Sequence, residues 1–406
     1  MIYLVITPFF PLPGHYWGGY VYDQVKAIIN TNKYERVIVL RSLNLNKTFN
    51  YQFEGIDVIG LPMFQMPSMV MNGLQGLWNV RMLKQTLEKH SINISDIAVA
   101  HIHTAGFAYY ATSLKQWNRQ IITLLQHHDL DPIGINSGKL SDKKWNIRIK
   151  ARIAYHHFKD VDCHVCISES CETNLRMFPK IRKEEKYAPY INKLLKMQGL
   201  THPLVNNVYV LYNGVDCSKF FPMAADRATE DFVIGCIGRF NDLKNQMTLI
   251  KAVEYLYCNG ERDIRLKLIG TGPLRNNCEQ YIKDKNLQEI INFEPECAHN
   301  QLFRFYNSID LFCLPSYFEG FGCIFTEAYA CGKAFMTCRH QGTEALLDEE
   351  TKKHFMLSYP TDYIALANLI SDYKEKRYPF VLTKPHDINR LMDTFCKWLE
   401  NYKQTL

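Results

Sequence analysis

The chain has 406 residues, 47% hydrophobic and 22% charged, which is ordinary for a globular protein and longer than the ~250–300 residues at which one core stops growing. Charge is uneven: residues 1–205 hold 24 Lys or Arg against 15 Asp or Glu, and residues 206–406 hold 23 against 26. No apolar run reaches the ~18–20 residues of a spanning helix, since the best, Val58 to Trp78, is broken by Pro62, Pro67, Gly73 and Gly76; no aromatic stacking motif accompanies the basic residues, which argues against nucleic acid.

In chain order, strands are predicted at 2–7, 36–41, 56–61, 97–102, 121–126, 163–168 and 208–212, then at 232–238, 265–270, 290–293, 310–314 and 334–338. Helical segments fall between them, at 20–31, 76–90, 106–118 and 145–159 in the first half and at 245–259, 274–286, 299–306 and 323–331 in the second. Many of the strands are continuous apolar runs, as parallel strands covered on both faces require. The alternation predicts two doubly wound α/β domains, the pattern restarting near residue 231 after a linker read at Phe220 to Asp231. We divide the chain into residues 1–212, residues 213–386 and a last amphipathic helix within 387–406, which is expected to pack back toward the first domain. Met1 runs into Ile2–Ile6 without a basic stretch or cleavage site, so no signal peptide is predicted. A cytoplasmic location then makes the 13 cysteines free thiols. Cys163 and Cys166 have the spacing of half a zinc site, but on a strand positions three apart face opposite sides, and no metal site is expected.

In the first half, Gly18 and Gly19 lie between strand one and a helix that Tyr20 opens, where glycine lets backbone approach a ligand closely. His101 and His103 end the strand that begins at Ile97, and His127 and His128 end the one that begins at Ile121. In α/β sheets the carboxyl ends of strands carry the ligands. In the second half, Ile237-Gly238-Arg239-Phe240-Asn241-Asp242-Leu243-Lys244 follows a strand, so that two cations can reach one diphosphate from a single loop. Gly270-Thr271-Gly272-Pro273 follows the next strand. Glu319-Gly320-Phe321-Gly322-Cys323-Ile324 and Glu327 place one carboxylate on a strand-to-helix loop and another on the helix. A helix start beside glycines is an anion site, because its first N–H groups have no helical partner.

Taken in this order, from Gly18 to Glu327, these stretches resemble the retaining glycosyltransferases of the GT4 type, the glycosyl transferases of group 1. The resemblance implies a GT-B fold, two Rossmann-like domains facing across a cleft, and transfer of a sugar from a nucleotide-diphosphate sugar, a UDP- or GDP-sugar, with no cofactor. It further implies that Glu319 meets the sugar hydroxyls, Glu327 the ribose, and Arg239 and Lys244 the diphosphate. Gly238, Gly270, Gly272, Phe321 and the amides of Gly322, Cys323 and Ile324 complete the donor side, with Gly18 and Gly19 near its phosphate. His128 resembles the family's histidine that approaches the donor sugar, with the adjoining His127 as the alternative. His101, His103, His127 and Tyr20 are candidates on the acceptor side. Asn245 departs from the family, which has glycine there, and as a helix cap it leaves the charge logic intact. Leu211 to Asp216 resembles the family's N-G-V-D turn at the domain crossing.

The implied reaction is front-face substitution, in which the leaving phosphate oxygen takes the acceptor's proton; double displacement with Glu319 as nucleophile is the other route. By analogy of fold, the resemblance implies as acceptor a hydroxyl of a glycan or lipid-linked glycan, in the building of a cell-surface polysaccharide or glycolipid. Lys139 to Lys159 alternates cations with Trp145, Ile149, Ile153 and Phe158, a pattern that suits an anionic membrane surface on the inner leaflet as well as a packed helix with a solvated basic face. The other readings are a sugar-nucleotide epimerase or hydrolase on the same scaffold, which needs an acid–base pair, and a catalytically silent relative that binds a partner.

Overall fold

In the computed structural model the described residues are 1–64, 74–128, 135–136, 139–140, 153–177, 205, 207–224 and 230–405. They divide into two units. The first runs up to Asn213 and takes back the chain's end, Asp387–Leu406; the second holds Gly214–His386.

The first unit is built on strands β1 (Ile2–Thr7), β2 (Arg36–Asn44), β3 (Tyr51–Phe53), β4 (Ile56–Met63), β5 (Ile97–His103) and β6 (Ile122–His127). The small pair β7 (Ile135–Asn136) and β8 (Lys139–Leu140) stands apart from that sheet, which β9 (Cys163–Cys166) and β10 (Val208–Val210) complete. The sheet order is β10-β9-β6-β5-β1-β2-β4-β3, parallel throughout except for the β3–β4 hairpin. Every residue of β1 and β6 is buried, because helices cover both faces of a parallel sheet. The hairpin was not expected. Its two-residue turn, Glu54-Gly55, has φ values of 43° and 83°, the positive pair that a type I′ turn needs; glutamate is an unusual residue there, which is why the turn left no signal.

Helices α1 (Gly19–Asn30), α2 (Leu74–Lys89), α3 (Ala108–Trp117) and α4 (Glu169–Met177) belong to this unit. In the second unit strands β11 (Phe232–Ile237), β12 (Ile264–Ile269), β13 (Ile291–Phe293), β14 (Leu311–Cys313), β15 (Ala334–Cys338) and β16 (Met356–Leu357) form one parallel sheet in the order β13-β12-β11-β14-β15-β16. Around it lie α5 (Gln246–Cys258), α6 (Arg275–Asp284), α7 (Leu302–Asn307), α8 (Cys323–Ala330), α9 (Glu349–Phe355) and α10 (Tyr363–Lys376). Helices α9 and α10 and strand β16 were not anticipated. Yet both helices carry a readable cap: Asp348 accepts from the Thr351 amide at 2.8 Å, and Asp362 from the Ala365 amide at 2.9 Å.

The last helix, α11 (Ile388–Thr405), returns to the first unit. Its Asn389 pairs with Asn30 at 3.1 Å, its Glu400 with Lys33 at 2.8 Å, and its Trp398 ring lies 4.6 Å from that of Tyr209. The contacts change units at Asn213/Gly214, within the N-G-V-D turn. The segment from Phe220, read above as a linker, is instead packed into the second unit: Phe220 is buried against His299 and Tyr306, and the Met223 amide donates to Asn307 at 2.7 Å.

Each sheet has one place where the chain reverses its direction of growth. In the first unit it lies between β1 and β5, in the second between β11 and β14. Ligands of such sheets bind outside the carboxyl ends of the strands at that reversal, so the loops after these strands are where chemistry is to be sought.

Candidate functional site

In the second unit the loops after β11 and β14 meet at the reversal point. The Tyr317 amide donates to Leu243 O at 2.8 Å, and Lys244 Nζ reaches Glu319 Oε1 at 2.6 Å. Glu319 is 7% exposed, so its charge is compensated locally, as a buried carboxylate must be. The Ser316 hydroxyl donates to the same Oε1 at 2.6 Å. Behind it the Gln341 side chain holds Ser316 O at 2.6 Å and accepts from Thr337 at 3.1 Å. The Gly342 amide holds the Glu319 carbonyl at 2.9 Å, and a Cβ on Gly342 would fall 1.8 Å from Gly320 O. The carboxylate is thus clamped by the loops after β11, β14 and β15, with Oε1 doubly bonded. Arg239 is exposed on the same loop as Lys244.

Asn245 stands where a left-handed backbone opens α5, with φ 53°. Its side chain does not cap the helix, contrary to the expectation from its residue type. It donates instead to Pro315 O at 3.1 Å and Pro360 O at 2.7 Å. Asparagine is among the few residues that tolerate this conformation, which accounts for its standing in for glycine.

Helix α8 begins at Gly322, φ 73°, and the Phe325 amide already donates to Gly322 O at 3.0 Å. The Cys323 and Ile324 amides lie at this start. Phe321, expected beside the donor, has its side chain in the core. Glu327 is also buried: Tyr306 donates to its Oε2 at 2.8 Å and His299 Nε2 lies 2.9 Å from its Oε1. Burial, then the carboxylate beside it, pushes the Tyr306 phenol well above its usual pKa, which keeps it a donor. Neither partner had a signal in the sequence, since both come from the helical turns around 299–306. Gly238, Gly270 and Gly272 explain one another. A Cβ on Gly270 would sit 2.1 Å from Gly238 O, and one on Gly272 2.3 Å from Phe240 O; the two loops are laced by Gly238 N to Ile269 O at 3.0 Å and Phe240 N to Thr271 O at 2.8 Å. Gly270 and Gly272 serve the approach of loop to loop.

In the first unit His128 follows β6 and closes on the loop after β1. Its ring centre lies 5.6 Å from Phe9, 5.0 Å from Tyr20 and 5.3 Å from His103, and its Nε2 is 3.0 Å from His103 Nδ1. His103 stacks on His101 at 4.6 Å, and His101 Nδ1 meets the Tyr3 hydroxyl at 2.8 Å. Desolvation among these rings holds His101 and His128 down to about 3 and His103 well below its usual pKa, so all three are neutral at pH 7. His127 points elsewhere: its Nε2 lies 2.9 Å from His164 Nδ1, with Phe158 against the ring. Of the two adjoining histidines, His128 is the one at the reversal point. Tyr20 is half-buried, while His101, His103 and His127 are enclosed. Gly18 and Gly19 again pack the chain on itself, since a Cβ would lie 2.4 Å from Phe9 O and 2.0 Å from the Tyr16 ring respectively.

A cavity of about 1300 Å³ opens at the other, amino-terminal ends of β1, β2, β5 and β6. Beside it Lys115 pairs with Asp162 at 2.8 Å and the Met1 amino group with Glu35 at 2.7 Å. Among the described residues there is no cluster of His, Cys, Asp or Glu placed to hold a metal, and no helix long and apolar enough to cross a membrane. Most of the basic segment Lys139–Lys159, and the Met-rich part of the Leu61–Trp78 loop, lie outside the described residues.

Residues 220–403 match the family model described as glycosyl transferases group 1. Residues 220–403 of this chain thus form a glycosyl transferases group 1 domain. Among curated relatives, a putative glycosyltransferase EpsF of Bacillus subtilis is 33% identical over 137 residues, covering 31% of this chain and 34% of the relative. N-acetylgalactosamine-N,N'-diacetylbacillosaminyl-diphospho-undecaprenol 4-alpha-N-acetylgalactosaminyltransferase of Campylobacter jejuni is 29% identical over 136 residues, covering 32% and 35%. The matched segments thus span about a third of these relatives' length. The solved structure of Anabaena HepE in complex with UDP and glucose superposes with a TM-score of 0.62 at 16% identity, over 100% of this chain and 98% of that one. At that identity the likeness establishes the fold, GT-B, on which the group 1 domain of this chain is built.

Proposed function

We propose that this group 1 glycosyltransferase moves a sugar, with retention of configuration, from a nucleotide-diphosphate sugar to a hydroxyl of a glycan or lipid-linked glycan. The observation that carries the reading is the buried Glu319 carboxylate, held by Lys244 and Ser316 at the reversal point of the second sheet, beside the start of α8. Lys244 and Arg239 offer two cations on one loop for a diphosphate, and the Gly322, Cys323 and Ile324 amides offer the dipolar end of a helix. Oε2 of Glu319 accepts from a sugar hydroxyl. Glu327, which accepts from the Tyr306 hydroxyl, takes the ribose hydroxyls. His128, neutral within its aromatic ring of neighbours, is the first unit's polar group for a sugar hydroxyl.

In the proposed step the C1–O bond to the diphosphate breaks while the acceptor oxygen bonds to C1 on the same face. The acceptor's proton passes to the departing phosphate oxygen, so no protein base is consumed. The cations and amides lower the barrier by stabilising charge that grows on the leaving group. Support for a nucleotide-sugar donor comes from the HepE structure with UDP and glucose, and support for a lipid-linked acceptor from the diphospho-undecaprenol in the name of the Campylobacter relative. Placement at a membrane's inner face, and a part in surface polysaccharide or glycolipid synthesis, belong to the same proposal.

The test is turnover of UDP- and GDP-sugars in the presence of a chelator, with the anomeric configuration of the product read by proton NMR coupling constants. Retention, abolished in Glu319→Ala, is the expected result. An inverted product, or conversion of the donor to another sugar nucleotide without acceptor, would overturn it, the second in favour of the epimerase reading.

A further inference from the structure

At the carboxyl ends of β15 and β16 the second unit has a cavity of about 430 Å³ that the donor reading does not use. Arg339, His340, Lys352 and Lys353 line it, with Met356 and Tyr359 beside them, and no carboxylate among the described residues lines it. Arg339 and His340 leave the end of β15, where the Arg339 amide donates to Leu357 O at 2.9 Å; the two lysines come from α9.

The side chain of Lys352 is 13% exposed against 75% for its acid Glu349, that of Lys353 63% against 70% for Glu350, and that of Arg339 29% against 19% for Glu344. Lys352 meets Glu349 at 2.7 Å and Lys353 meets Glu350 at 2.6 Å, each one turn apart on the same helix. Glu344, the remaining acid, stands 4.0 Å from Arg339 and 3.8 Å from His340. The two lysine pairs, whose acids are exposed, are worth only about 0–1 kcal/mol each and yield readily to a better anion. Cations gathered on a concave, low-dielectric wall focus positive potential into it. Tyr359, 61% exposed, adds an aromatic face at the rim, and cavities of roughly this size, ~300–1,000 Å³, suit small organic ligands.

We infer that this cavity is a second anion site, distinct from the Lys244–Glu319 loop, that takes a phosphate ester whose organic part lies against Tyr359 and Met356. Arg339 presents a planar fork suited to phosphate oxygens, and Lys352 a point charge. The site stands whether or not the donor assignment holds, since it shares no side chain with it.

Calorimetric titration of the full chain with inorganic pyrophosphate tests the inference, comparing the parent protein with Lys244→Ala, with the double variant Arg339→Gln/Lys352→Gln, and with Lys353→Glu, whose exposed position protects folding. A binding event that persists in Lys244→Ala, weakens at least tenfold in the double variant and weakens also in Lys353→Glu supports it. Pyrophosphate binding that is the same in all of the pocket variants, or that disappears with Lys244→Ala alone, overturns it. A parallel flotation with phosphatidic acid vesicles assigns the source: vesicle binding lost in the double variant makes the phosphate a lipid headgroup, and pyrophosphate binding without vesicle binding makes it a soluble ester.

Discussion

Acid should loosen the first unit, and the histidines set the size of the effect. His101 and His128 are held near about 3, and His103 and His127 well below the usual 6.5, by burial. A histidine with a lowered folded pKa favours the folded state above its unfolded pKa, and that contribution disappears as pH falls from about 6.5 toward about 3. At pH ~5.5 an unfolded histidine is about nine-tenths protonated and a folded one here is not, which costs RT ln 11, about 1.4 kcal/mol for each. Four such rings set an upper bound of about 6 kcal/mol, comparable with a whole domain's stability of ~5–15 kcal/mol. Most carboxylates remain ionised at that pH, so the effect is separable from acid unfolding. Urea titration followed by tryptophan fluorescence reads it selectively: Trp17, Trp78, Trp117 and Trp398 lie in the first unit, and residues 214–386 contain no tryptophan. The midpoint should fall substantially from pH 7.5 to 5.5, and less so in His101→Gln. An unchanged or higher midpoint at pH 5.5 would refute the argument that these rings are enclosed and neutral.

Other perturbations follow from single contacts. Ser316→Ala removes a 2.6 Å hydrogen bond to the Glu319 carboxylate; bonds to charged groups contribute about 1.5–3 kcal/mol, so donor affinity should drop at least tenfold in calorimetry, and unaltered affinity would show that Ser316 does not position the acid. Gly270→Ala puts a Cβ 2.1 Å from Gly238 O at a φ of 138°, which should cost about 3 kcal/mol or more in chemical denaturation; a loss below about 1 kcal/mol would contradict the close packing of the two loops. At Asn245, φ 53° with two side-chain bonds to carbonyls, alanine loses both the bonds and the tolerance of the left-handed backbone, whereas glycine loses only the bonds. Asn245→Ala should therefore be less stable than Asn245→Gly by about 1 kcal/mol, and the reverse order in melting temperature would refute the explanation.

The parts of this fold that could be read from sequence are those with a local cause. Parallel strands such as β1 and β11 announce themselves as unbroken apolar runs, and the loops holding Gly238, Arg239, Lys244 and Glu319 follow directly from where those runs stop. What escaped has a distant cause. Ser316 and Gln341 matter through a bond spanning 25 residues, and Tyr306 through one spanning 21; neither pairing leaves a periodic signature. Phe220–Asp231 has the composition of a linker, yet Phe220 is covered by rings from the segment 299–306. The glycines read as ligand approaches, Gly18, Gly19, Gly270 and Gly272, each face another part of the chain at a distance no Cβ allows, which composition alone cannot distinguish from closeness to a ligand. His127 ends β6 and His128 is the next residue, and a single step along extended chain reverses the face.

The account's central claim is that Lys244 and Glu319 hold the diphosphate end and the sugar of a nucleotide-sugar donor. Calorimetry of the full chain against UDP-, GDP- and ADP-sugars, without added metal, tests it most directly. One donor should bind, and Lys244→Ala should weaken it by ten- to a hundredfold, the range expected when a charge-assisted contact of about 1.5–3 kcal/mol is lost. Binding that is indifferent to Lys244→Ala, or no binding to any of the donors, would contradict the claim.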